Sequence, residues 1–283
     1  MELRGLGSAN GMKAMNLSRR IVNHVRRRLG WRPAPPPPVA VSNALLVPDN
    51  QWYGPAVAGA STFAVAAAAP ATVQRALDVL QRLTPDKYAE FLSTFYRAGL
   101  ERYPDWRYAD INTALVALAS GLRPQRYLEI GVRRGRSLAM VASACPSCDI
   151  VACDMFIQAY GGMENPGPAL VRSELARVDF RGALEFVLGD SHKVLPAYFR
   201  EHPDAYFDII TVDGDHSEEG ARADLAAVLP RLKVGGAVVF DDVAHFLHPE
   251  LAGVWQEIAT NHKFSAFTYT ELGYGVGFAI RHA

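Results

Sequence analysis

Acidic side chains recur at the ends of short apolar runs in the second half of the 283-residue chain. The run Phe207 to Val212 leads into Asp213-Gly214-Asp215-His216-Ser217, and the run Ala237 to Phe240 leads into Asp241-Asp242. Four carboxylates gathered at two neighbouring ends repel one another unless a cation or protons intervene. Oxygen ligands suit Mg²⁺, which prefers octahedral geometry and keeps waters or substrate oxygens in its shell. The plainer alternative has Asp215 capping a helix and Asp241 accepting from backbone amides. His216 likewise reads in two ways, as a general base or as a residue packed where Ser217, Glu218 and Glu219 begin a helix.

Three earlier runs end in residues of comparable interest. Arg126 to Ile130 leads into Gly131-Val132-Arg133-Arg134-Gly135-Arg136-Ser137, a glycine spacing that departs from the GxGxxG of dinucleotide enzymes. Glycine there lets a ligand approach the backbone, Glu129 can accept from an ammonium or hydroxyl group, and the arginines suit a carboxylate or phosphate. Asp154 ends the second run, where an open α/β nucleotide site keeps an acid for ribose hydroxyls. The third run ends Gly189-Asp190-Ser191-His192, in which Asp190 can accept from an adenine amino group and Ser191 can cap a helix. Each of these is also an ordinary cap or turn when taken alone. Asp154 to Pro168 reads as a lid-like loop with Tyr160 and Glu164 toward an acceptor, and His245 and His248 follow the fifth run.

The elements that must position these residues are legible from periodicity. Arg126 to Ile130, Ile150 to Cys153, Leu184 to Leu188, Phe207 to Val212 and Ala237 to Phe240 read as buried strands. Ser137 to Ser143, Pro168 to Val178, His192 to Arg200 and Glu218 to Leu232 read as helices between them. Strict alternation predicts a parallel sheet covered on both faces, with ligands beyond the carboxyl ends of the strands. Phe264 to Tyr269 and Gly275 to Arg281 read as a hairpin at the sheet edge. Upstream, Thr84-Pro85-Asp86 opens one helix containing Tyr88, Phe91, Leu92 and Phe95, and a second runs from Tyr108 to Leu118 and stops near Gly121.

On Glu129-Ile130-Gly131 with Gly135, Asp154, Gly189-Asp190 and the two acidic strand ends, the chain from Arg126 onward resembles the class I S-adenosylmethionine-dependent methyltransferases. The resemblance implies an α/β, doubly wound, mostly parallel seven-stranded sheet of the Rossmann-like methyltransferase type, here with an N-terminal helical extension. It implies that Glu129, Gly131, Gly135 and Ser137 serve the methionine part of the cofactor, Asp154 the ribose, and Asp190 with Ser191 the adenine. The acidic ends are similar to those of the O-methyltransferases that need a divalent cation, which makes Asp213, Asp241 and Asp242 the implied metal ligands. Catechol-type enzymes end that pattern Asp-Asn and carry Lys three residues after the first Asp. Asp242 and His216 stand at those places here, which moves the resemblance toward enzymes that tailor sugars and natural products. The implied reaction is Mg²⁺-assisted methylation of a sugar, polyol or natural-product hydroxyl, with Asp213 and His216 as catalytic residues.

The formal charge of zero hides a division, because residues 1–32 carry eight basic side chains against one acid and leave the remainder at −7. Nucleic acid is therefore not an expected partner, since a basic body would be its footprint. Leu17, Ile21, Val22, Val25 and Leu29 share one flank of a basic amphipathic helix whose contact is an anionic membrane surface, an acidic partner, or none if the arm is free. Pro33 and Pro35 to Pro38 form a stiff spacer after it. No secretory signal pattern follows the charges, although the Arg-rich start loosely resembles a transit peptide. Asn50 to Gln74 is uncharged but broken by Gly and Pro and dominated by alanine, so it reads as a surface loop and helix start rather than a membrane span.

Three cysteines with 49% hydrophobic residues indicate a cytoplasmic protein with a real core, possible contact of the arm with a membrane, and no disulfide framework. Cys145 and Cys148 form a CxxC without the flanking pattern of a redox or zinc site. The expected organisation is an arm and spacer over 1–48, a helical cap region over 49–122 and a methyltransferase domain over 123–283, as a monomer or homo-oligomer. Two other readings stay open: a noncatalytic binding or assembly module of the same fold, and a nicotinamide-dependent oxidoreductase, which the glycine spacing disfavours.

Overall fold

A computed structural model describes residues 42–45, 55–159 and 164–283. The basic arm, the proline spacer and Tyr160 lie outside the described residues. Four helices come first: α1 (Ala60–Ala67), α2 (Pro70–Arg82), α3 (Lys87–Arg102) and α4 (Ile111–Leu122). The alternating part follows as β1 (Arg126–Ile130), α5 (Arg136–Ala144), β2 (Asp149–Asp154), α6 (Pro168–Arg177), β3 (Leu184–Leu188), α7 (Ser191–Glu201) and β4 (Phe207–Val212). It closes with α8 (Glu218–Val228), β5 (Leu232–Asp241), α9 (Glu250–Ala259), β6 (Phe264–Tyr269) and β7 (Val276–Arg281).

The seven strands form one sheet in the order β3-β2-β1-β4-β5-β7-β6. β1 to β5 pair in parallel, and β7 runs antiparallel between β5 and the edge strand β6. This is the doubly wound, mostly parallel sheet expected from the alternation. Because successive side chains point to opposite faces, each strand feeds two cores. Tyr127, Ile209, Ala237 and Val239 join the core under α4 and α5, whereas Leu128, Ile130, Ile210, Val212 and Phe240 join the core under α7, α8 and α9.

Helices α1 to α4 contribute side chains to the first of those cores. Leu115, Leu118 and Leu122 of α4 are fully buried. At about 1.5–3 kcal/mol for each such side chain, this layer is integral to the sheet's stability. The uncharged segment expected to be a loop and a helix start supplies two helices, α1 and α2. They meet at 64°, and no single helix among the described residues is long and apolar enough to cross a membrane.

Several boundaries differ from the sequence reading for local reasons. Asp86, rather than Thr84, caps α3, with Oδ1 accepting from the Tyr88 and Ala89 N–H groups at 2.9 Å each. Asp110 and Thr113 form a capping box that starts α4 at Ile111, and Arg123 ends it in a left-handed conformation (φ 48°). β5 begins five residues earlier than the apolar run implies, at Leu232, because Gly235 and Gly236 interrupt its apolar texture without ending the strand. Helix α9, with Leu251, Val254, Trp255 and Ile258 buried at helical spacing, was not anticipated.

Candidate active site

The carboxyl ends of β1 to β4 surround a cavity of about 360 Å³, within the range of small-ligand sites. Gly131, Asp154, Asp190, Ser191, Asp213 and His216 all border it. Glu129, Gly135, Ser137, Asp241 and Asp242 do not.

Each bordering residue is fixed by its own local structure. Gly131 has φ 90°, and a Cβ there would lie 1.8 Å from the main-chain oxygen of Asp213. The glycine is thus required by backbone contact between the ends of β1 and β4, and not only by close approach of a ligand. Asp154 accepts from the Arg133 N–H (2.6 Å) and the Phe156 N–H (2.5 Å), which binds the loops after β1 and β2 to one carboxylate. Asp190 itself caps α7, accepting from the His192 N–H at 3.0 Å. Ser191, expected as that cap, instead donates to Asp224 at 2.6 Å, and Asp224 also lies 3.2 Å from His192 Nε2. Asp224 is fully buried and joins α7 to α8, a tertiary role with no local signal in the sequence.

Glu129 has no exposed surface. Its Oε1 accepts from Ser137 at 2.6 Å and its Oε2 from Tyr127, whose hydroxyl also lies 2.8 Å from Thr211. Burial pushes this carboxyl up to about 8. Glu129 therefore ties β1 to α5 and β4 from within the core.

At the ends of β4 and β5, His216 Nε2 lies 3.4 Å from Asp213 Oδ1 and 3.6 Å from Asp242 Oδ2. One ligand atom from each of these three residues falls within 4.8 Å of the others. Asp241 stays outside the set, because neighbouring residues of a strand point to opposite sides and Asp242 is turned further by its left-handed φ of 61°. Burial and then the Asp213 charge push Asp242 up to about 7, and the same two causes raise the buried Asp241. The hydrogen bond to Asp213 raises His216. Carboxylates forced upward by burial and mutual repulsion are relieved by a cation, so the residues present fit a divalent metal. Two oxygen donors suit Mg²⁺ or Mn²⁺, and the imidazole extends the fit to later divalent ions.

His248 and His245 sit beside this cluster, with ring centroids 5.3 and 6.5 Å from that of His216. Tyr274 packs on His245 at 4.2 Å, and Phe246 and Leu247 are exposed next to them. Glu164 is exposed and pairs with Arg134 at 3.5 Å. The cluster's Asp213 and Asp242 and the cavity's walls all fall in one continuous stretch of sequence. A family model described as a methyltransferase domain matches residues 128–243.

Residues 128–243 are thus similar to a methyltransferase domain. Every described residue bordering the cavity lies within it, as do all three members of the Asp213, His216 and Asp242 cluster. His245 and His248, with Tyr274 packed on His245, approach from outside. No curated protein matches the chain. Among solved structures, the Podospora anserina methyltransferase PaMTH1 bound to SAH is similar over 100% of both chains, at 12% identity and a TM-score of 0.48. CalS11, a calicheamicin methyltransferase, aligns with 75% of this chain and 91% of its own at 22% identity and a TM-score of 0.45. An O-methyltransferase from Bacillus cereus in complex with SAH aligns with 75% and 90% at 15% identity and a TM-score of 0.46.

Proposed function

We propose that the protein transfers a methyl group from S-adenosylmethionine to a hydroxyl of a sugar, polyol or natural product, with a divalent cation held by Asp213, His216 and Asp242. The observation that carries this reading is the adjacency of the cavity to that cluster: Asp213 and His216 belong to both. In methyl transfer the acceptor oxygen attacks the methyl carbon in line, the S–CH₃ pair passes to sulfur, and the hydroxyl proton must leave. A cation here would polarise the hydroxyl and lower its pKa. Asp154 and Asp190 would hold the ribose and adenine, leaving the methyl group directed at the β4 end.

The proton's destination follows from geometry. His216 Nε2 is the atom that faces both carboxylates, so it cannot ligate a cation and accept a proton at once. If His216 ligates, His248 at 5.3 Å is the neighbouring imidazole able to take the proton. The sugar and natural-product class rests on Asp242 and His216 standing where catechol-type enzymes carry Asn and Lys.

The test combines calorimetry with a methyl-transfer assay on a panel of glycosides and phenols. Binding of S-adenosylmethionine, transfer to an alcohol, loss in EDTA and recovery with Mg²⁺ are expected. Absence of cofactor binding overturns the whole reading, and full activity in EDTA overturns only the cation.

A further inference from the structure

Three large apolar side chains stand in solvent beside the Asp213, His216 and Asp242 cluster. Phe246 is 71% exposed, Leu247 66% and Tyr274 46%. Single exposed apolar residues are ordinary, whereas a contiguous group marks a surface kept for a ligand. Here the group is contiguous. The Tyr274 ring lies 4.2 Å from that of His245 and 6.1 Å from that of Phe246, and the His245 and Phe246 rings are 5.3 Å apart with planes only 9° from parallel.

Two loops meet to build this patch, and each fixes the other. Phe246 and Leu247 follow β5, whereas Tyr274 sits in the turn between β6 and β7. The Ala244 N–H donates to the main-chain oxygen of Tyr274 at 2.6 Å. Gly275 has φ 79°, and a Cβ there would lie 2.9 Å from the side chains of Val243 and Ala244, so only glycine lets the turn close on the loop. His245 Nδ1 accepts from the Leu247 N–H at 3.2 Å, which orients its ring. Ring faces presented in this way lose little conformational freedom when a ligand lands on them.

The patch reaches the cluster through two imidazoles. The His245 ring is 6.5 Å from that of His216 and 5.1 Å from that of His248, which is itself 5.3 Å from His216. His245, Phe246, His248 and Tyr274 do not border the cavity assigned to the cofactor, so the patch stays open when that cavity is filled. An acceptor whose hydroxyl sits at the cluster then has the patch within reach for the rest of its molecule. Phe246, Leu247 and Tyr274 carry no charge and give a phosphate nothing to pair with. Their aromatic faces favour another ring, stacked with an offset or edge-on at centroid distances of about 4.5–7 Å. A linear polyol has no such face.

We propose that Phe246 and Tyr274 form a stacking platform for an uncharged aromatic ring of the methyl acceptor, which makes the substrate an aryl glycoside or a hydroxylated aromatic natural product rather than a free polyol or a nucleotide-linked sugar. This rests on the reading above, in which the cluster receives the acceptor hydroxyl.

The test compares phenyl glycosides with methyl glycosides of the same sugars, pairs that share every sugar hydroxyl and differ in the ring. Calorimetry on the full chain, with and without S-adenosylhomocysteine, reads binding without turnover. The wild type should prefer the phenyl member. Phe246→Ser and Tyr274→Ser should each cut that preference by about 2- to 10-fold, the size of one aromatic contact, and the double variant should abolish it. Phe246→Tyr keeps a ring and should retain the preference. S-adenosylhomocysteine should bind all of these proteins equally, which also shows that the variants fold. No phenyl preference in the wild type across the panel, or one that survives in the double variant, overturns the platform and leaves the cofactor reading standing. Phe246→Ser that weakens binding to phosphatidylserine vesicles and leaves the glycoside preference unchanged overturns it in favour of a membrane-facing patch. Failure of the wild type to bind S-adenosylhomocysteine, with the phenyl preference present and lost in the double variant, overturns the cofactor reading and leaves the platform as a site for aromatic rings.

Discussion

Strand β4 carries an aspartate near its amino end and another just past its carboxyl end, and the two live in opposite electrostatic worlds. Asp208 is buried with every demand met: Lys233 Nζ lies 3.0 Å from both of its oxygens, and the N–H groups of Gln125 and Arg126 donate to it at 3.0 Å. Asp213 faces a second carboxylate, that of Asp242, with only the His216 imidazole between them. The same residue type in the same strand is a clamp at one end and an open valence at the other. In a parallel sheet the amino ends are sealed by loops, while the carboxyl ends are left for ligands.

Removing the clamp should have the largest effect on stability. Asp208→Ala strands a buried ammonium and two N–H groups, and breaking a buried pair from one side costs about 3–5 kcal/mol. Urea unfolding should show this as a lowered midpoint, with methyl transfer by the folded fraction unchanged. A loss below about 1 kcal/mol, inside the range of ordinary surface substitutions, would remove the distinction between the two ends.

The opposite signature is expected past the carboxyl ends. Asp213→Asn combined with Asp242→Asn removes mutual repulsion and should leave the unfolding midpoint level or raise it. Methyl transfer should nevertheless fall on the order of 100-fold or more, as when a metal's ligands or their supports are lost. Retained activity together with lost stability would make these acids structural and erase the contrast.

What was readable in the sequence follows this division. The acids at the strand ends were legible because short apolar runs stop abruptly at charged residues, which fixed five strands and the location of Asp154, Asp190 and Asp213. The inaccessibility of Glu129 was not, since it depends on which face of β1 lies under α5 and on hydroxyls from Tyr127 and Ser137. Nor was the pairing of Arg134 and Arg136 with Asp86, which stands some fifty residues earlier in the chain. The sheet's long β5 and helix α9 escaped for a local reason, one masked by paired glycines and the other lacking a recognised cap.

Glu129 offers a sharper test, because it is buried like Asp208 yet satisfied by hydroxyls rather than by a cation. Burial raises its carboxyl from 4.5 to about 8. Between those values the folded protein holds a proton that the unfolded chain has released, so stability falls as pH rises through the window and levels off above it. The slope is at most about 1.4 kcal/mol per pH unit. Glu129→Gln is neutral throughout and should flatten the decline between pH 5 and 8 in thermal melts. An unchanged pH profile would mean that Glu129 is ionised in the fold.

The smallest effect is expected at the amino ends, where Cys145 borders a hollow lined by Ser120, Arg123 and Asp149 and Cys148 is fully buried. Burial raises both thiols above their ordinary value, Cys148 far more than Cys145, and their sulfurs lie near the main-chain oxygens of Asp149 and Pro124 respectively. A protonated thiol is a poor nucleophile and a poor metal ligand. Cys145→Ala should therefore shift stability by no more than about 0.5 kcal/mol, and iodoacetamide at neutral pH should label Cys145 slowly without loss of methyl transfer. Melting should be indifferent to reductant and to chelator in the absence of cofactor. A shift of several degrees with either reagent in the Asp213→Asn/Asp242→Asn background, where the carboxyl-end cluster is disabled, would place a redox or metal site at the sealed end and contradict the assignment of all such chemistry to the other.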